Sequence, residues 1–132
     1  MATDTAGTGR FGSVARRRIS TEQGEAALSA WRAGGARTAP AEVRTAVRYC
    51  LEELGEVAPG NSVEVRVPPA GVVQAIEGPR HTRGTPPNVV EMDGQTWLGL
   101  ATGELTWADQ VAAGRVRASG QRADLTGVLP LF

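Results

Sequence analysis

The most telling stretch of the chain is WLGLATGELTWADQVAAGRVRASG, residues 97–120. Asp93-Gly94 turns the chain into a helix carrying Trp97, Leu98, Leu100 and Ala101, and Gly103 closes it. Thr106 followed by Asp109 has the spacing of a helix-capping pair, in which the hydroxyl takes an orphan backbone N–H. It opens a second short helix with Trp107 and Val111 on one face, stopped by Gly114. The period then drops to two: Arg115 to Ser119 reads as a strand, with Val116 and Ala118 inward and Arg115 and Arg117 outward.

Working back, Asn88 to Met92 is a strand, and a loop from Gly78 to Pro87 precedes it. Val63, Val65 and Val67 alternate with Glu64 and Arg66, the rhythm of a half-buried strand. Pro68-Pro69-Ala70-Gly71 makes a turn, and Val72 to Glu77 returns as the second strand of a hairpin. Upstream, Val43, Ala46, Val47, Cys50, Leu51, Leu54 and Val57 recur at three- and four-residue steps and predict one helix with a single buried stripe. Thr38 or Ala39 caps it, Pro40 suits its first turn, and Pro59-Gly60 ends it. Ser20 and Gln23 predict a capping box for an earlier helix with Ala27, Leu28, Ala30 and Trp31 on its apolar face. Gly34-Gly35 stops that helix. Residues 1–18 show no periodic apolar face and read as a flexible tail, leaving residues 19–132 as one domain.

Helices, then strands, then helices and a last strand predict an α+β domain, one sheet covered on one face by helices. At 132 residues there is room for one modest core. Formal charge is zero, but residues 1–18 hold four Arg against Asp4, and the remainder is correspondingly acidic. No global field calls for nucleic acid. All 14 basic residues are Arg, which GC-rich codon usage explains more simply than phosphate binding. One Cys and one His leave no disulfide and no multi-histidine metal centre. No apolar run reaches the ~18 residues of a membrane span, and the first residues, with Gly7, Thr8, Gly9 and Ser13, lack the apolar stretch expected of a secretory signal. A soluble cytoplasmic protein without cofactor, metal or stable membrane insertion is the expectation.

The order of elements from Val63 to Gly120 resembles the sterol carrier protein 2 family, and the 97–120 stretch looks like that family's signature. More narrowly, residues 19–131 resemble the bacterial sterol-carrier-like proteins, from which the segment Gly78 to Asn88 distinguishes animal relatives. The resemblance implies a twisted, mainly antiparallel sheet of four to five strands with helices on one face. It also implies a carrier without catalysis, holding an apolar or amphipathic, lipid-like ligand between sheet and helices. The alternative is a protein-interaction or accessory domain that keeps the fold without a usable cavity. Family members generally have five strands, of which four are found here, and the usual C-terminal helix is replaced by a stub after Gly120.

On this resemblance Trp97, Leu98, Leu100, Trp107 and Val111 form a ligand-facing wall, though the same residues suit plain core packing. Arg80, His81 and Arg83 sit in a loop stiffened by prolines and glycines, where they form a fork for a carboxylate or phosphate head group. The competing reading is an architectural loop whose arginines pair with Glu77 and Glu91. Cys50 reads as a small buried hydrophobe, and Leu129 to Phe132 as a segment that seals the sheet edge or meets a partner chain.

Overall fold

A computed structural model describes residues 18–79 and 87–132. Helix α1 spans Thr21–Gly34 and is followed by a 3-10 turn, Gly35–Arg37; α2 spans Pro40–Val57. Strands β1 (Val63–Val67) and β2 (Gly71–Ala75) form the hairpin, and β3 is Val89–Glu91. Then come α3 (Gly94–Thr102), α4 (Trp107–Ala112) and β4 (Arg117–Ser119). The fold is α+β.

The helix starts follow the local chemistry that the sequence displays. Ser20 and Gln23 close a full capping box on α1, and Gly35 ends it at φ 56°, a left-handed value that glycine adopts without strain. Asp93 accepts the Thr96 N–H at the start of α3, and Thr106 accepts the Asp109 N–H at the start of α4. For α2 the cap is Ala39, which offers no side-chain acceptor, and Pro40 occupies the first turn, where a missing N–H costs nothing.

The sheet runs β2-β1-β3-β4. Its outer pairs are antiparallel, and β1 with β3 is parallel, registering Val65 opposite Val90. Val63, Val65, Val67, Ala75 and Val90 are buried on the face toward α2 and α3. Each of these valines removed from water contributes about 1.5–3 kcal/mol before conformational entropy is set against it. Glu64, Arg66, Gln74, Glu91 and Arg117 take the opposite face. There Glu64 holds Arg66 and Gln74, and Arg117 lies 2.9 Å from Glu91. Helix α1 lies on α2, placing Ala27, Leu28 and Trp31 in the same core as Val47, Cys50 and Leu54.

Five local expectations change. The returning strand stops at Ala75, two residues early, because Ile76 turns left-handed (φ 70°). Its N–H reaches the Ala58 carbonyl, and its own carbonyl accepts the Ser62 N–H and hydroxyl, tying the strand end to the α2–β1 connection. Gly60 passes so close that a side chain there would strike the Ile76 backbone. The last strand starts at Arg117, because the N–H groups of Arg115 and Val116 point to the Gln110 carbonyl. Within that strand Ala118 is exposed, since β4 is an edge that the helices do not cover. At the end of the α2 stripe Val57 is exposed, and Tyr49 is buried in its stead. Finally, Leu129 to Phe132 lies on the helices and not along a sheet edge: the Leu131 N–H donates to the Ala101 carbonyl at 2.8 Å.

Chain entry to the core is fixed by Glu52, whose carboxylate accepts the backbone N–H groups of Arg18 and Ile19 at 3.2 Å each. Ile19 is thereby buried in the core.

Candidate functional site

The residues expected to line a ligand wall do not share one surface. Trp97, Leu98 and Leu100 are at most 1% exposed and belong to the central core. The Trp97 indole N–H donates to the Val47 carbonyl at 3.2 Å, so both the ring and its polar tip are accounted for inside. Trp107 is half-buried against that core, and Val111 faces solvent. Arg80, His81 and Arg83 lie outside the described residues.

Open space lies on the other side of α3. A cleft of about 470 Å3 is walled by Trp31 of α1, by Gln95, Thr96 and Gly99 of α3, and by Gln110 of α4. That volume is in the range of small-molecule sites, but the cleft is open to solvent and its lining mixes polar with apolar groups. Leu105 folds back over Gly99, its N–H on the Gly99 carbonyl at 3.0 Å. A β-carbon on Gly99 would collide with that leucine, so glycine is what lets the wall close there. Asp93, Glu104 and Arg115 supply the exposed charge at the rim. A second cleft of about 410 Å3, lined by Pro68, Met92 and Arg117 among others, shares Asp93 and Arg115 with the first.

Hydrogen bonds fix much of the lining. The Trp31 indole N–H donates to Gln95 Oε1 at 2.9 Å, joining α1 to α3 across 64 residues of sequence. Arg32 approaches Glu104 at 4.0 Å. Arg115 donates from Nη1 to Gln110 Oε1 at 3.4 Å. Thr96 and Gln110 are buried polar side chains, as is Ser62, which is bonded elsewhere.

Trp31, Thr96 and Gln110 are not among the site residues that the sequence predicts. A signal existed for two of them. Gln110 falls three residues after Trp107, putting an amide on the same face as that indole. Thr96 and Gly99 share a face of α3 with little bulk, the kind of stripe that leaves room for something else. For Trp31 nothing local distinguishes cleft from core.

Among the described residues no three His, Cys, Asp or Glu side chains gather to hold a metal ion. Cys50 is fully buried, and burial, with Glu53 adding to it, pushes its thiol up to about 12. Such a thiol is no nucleophile at neutral pH. No helix among the described residues is long and apolar enough to cross a membrane.

One helix-covered mixed sheet, entered by two helices and closed by α3, α4 and an edge strand, defines an α+β domain of the sterol-carrier type. A family profile described as "Bacterial SCP ortholog" matches residues 39–131, and the chain belongs to that family. The match begins at the cap of α2, so α1 and its Trp31 stand outside it. No curated protein matches the chain.

Proposed function

We propose that the protein is a non-enzymatic, cytoplasmic binding module for an apolar or amphipathic, lipid-like ligand. Its family supports carriage as the general role. The observation that carries the reading is the cleft between α1, α3 and α4, where the apolar surfaces of Trp31, Gly99 and Leu105 adjoin polar groups. An amphiphile has the same two-sided chemistry. The ligand sits on the outer side of α3 in this reading, because the side chains between sheet and helices, Trp97, Leu98 and Leu100 among them, pack on one another.

That filled interior supports a second reading, a protein-interaction or accessory domain that retains the fold alone. Mass spectrometry of the natively purified protein separates the two. Co-purifying lipid in stoichiometric amount is expected for a carrier. A ligand-free protein that also fails to bind fatty acids or neutral amphiphiles would leave the accessory reading standing.

A further inference from the structure

Two buried side chains in the cleft each carry a donor that has no acceptor among the described residues. Thr96 is 3% exposed and Gln110 5%. The Thr96 backbone N–H is used by Asp93 Oδ1 at 2.8 Å, but its hydroxyl has no partner among the described residues. Arg115 only donates, so the Gln110 oxygen must be the end that faces it, at 3.4 Å. That orientation turns the Gln110 amide nitrogen elsewhere, and among the described residues it too has no partner. Buried donors without acceptors are costly and uncommon. Here both belong to the wall of one open cleft of about 470 Å3.

The charges at the rim decide what would satisfy them. Asp93 and Glu104 stand against Arg115. A full anion reaching the donors would meet two carboxylates, and a full cation would meet the guanidinium. A hydroxyl suits every group present. It accepts from Gln110 Nε2 and Arg115, exchanges either way with Thr96, and donates to Asp93 or Glu104.

We propose that the cleft, through Thr96, Gln110 and Arg115, binds an uncharged polyhydroxyl head group, of glycerol or sugar type. As the head of an amphiphile it rests on the lipid-carrier reading; as a hydroxyl-binding site it stands without it.

The test titrates the 15N-labelled full chain with five probes below their micelle concentrations: octyl glucoside, 1-octylglycerol, methyl glucoside, octanoate and octyltrimethylammonium. Octyl glucoside or 1-octylglycerol is expected to shift the Gln110 side-chain amide and the Thr96 signals saturably. It should bind about tenfold more tightly than the two charged probes of equal chain length. Which of the two is preferred tells sugar from glycerol. The near-isosteric Thr96→Val and Gln110→Met variants should each weaken binding by roughly five- to tenfold while keeping the native amide spectrum. Equal affinity for octanoate, or binding that leaves Gln110 unmoved or ignores both variants, overturns the head-group assignment and leaves lipid carriage intact. Binding of methyl glucoside with no gain from the octyl chain sustains the hydroxyl site and overturns lipid carriage. No binding by any probe overturns both.

Discussion

Phe132 stacks on Tyr49, with ring centroids 6.1 Å apart and planes inclined by 11°. Tyr49 is 3% exposed and Phe132 49%, so the phenylalanine acts as a cover over a ring that α2 directs into the core. The same ring lies against Gly24 of α1. Three distant parts of the chain thus meet on one tyrosine.

Removing the cover should cost stability in proportion to one aromatic contact. Phe132→Ala is expected to lower the unfolding free energy by about 1–2 kcal/mol, read as a shift of the urea midpoint at constant slope. A midpoint that does not move would show that the stack contributes nothing.

Gly24→Ala should destabilise, although alanine is the better helix former by roughly 1 kcal/mol. Its β-carbon would overlap the Tyr49 ring, and overpacking of this kind costs about 1–3 kcal/mol. Combining it with Tyr49→Leu should recover part of the loss, a non-additivity that a double-mutant cycle measures directly.

Cys50 predicts a pH dependence with a definite sign. Its thiol titrates near 9.0 when unfolded and near 12 when folded, so the native state holds a proton that the unfolded state releases. Its contribution is therefore complete below pH 9 and lost as pH rises from 9 toward 12, at most about 1.4 kcal/mol per pH unit. Cys50→Ala should flatten this part of the stability profile. In native protein at pH 8 the thiol should resist aromatic disulfide reagents and react only at the rate of unfolding.

Asn88 joins strands to the C-terminal segment through both ends of its amide. Nδ2 donates to the Ser62 carbonyl and Oδ1 accepts the Arg122 N–H, each at 2.9 Å. Asn88→Ala should cost about 2 kcal/mol in denaturant unfolding. Asn88→Asp should cost no less at neutral pH, since a carboxylate cannot donate to Ser62 and faces its carbonyl dipole instead.

Tryptophan emission should locate the ligand. Trp31 lines the cleft, whereas Trp97 is sealed in the core. The emission change on adding a binding amphiphile is expected to vanish in Trp31→Phe and to persist in Trp107→Phe. A change that survives loss of Trp31 would move the site away from this cleft.

Elements whose information is local are legible in the order of the amino acids. The α2 stripe from Val43 to Leu54, the alternation Val63-Val65-Val67, and the caps Ser20, Asp93 and Thr106 are each set by neighbours within four residues. Periodicity and capping chemistry need nothing more distant. The family followed from the same stretches, which hold the helix-glycine-helix-strand order.

Other features depend on contacts between distant parts of the chain. The parallel pairing of β1 with β3, the left-handed Ile76 and the late start of β4 depend on which carbonyls the fold brings near particular N–H groups. So does the path of Leu129 to Phe132 over the helices. The division between core and cleft is of the same kind. Trp97 and Trp31 have similar apolar helical settings, yet one packs inside against Val47 while the other forms a wall beside Thr96 and Gln110. A period reveals that a helix face is covered; only the packing of α1 and α4 against α3 decides what covers it, and where space is left.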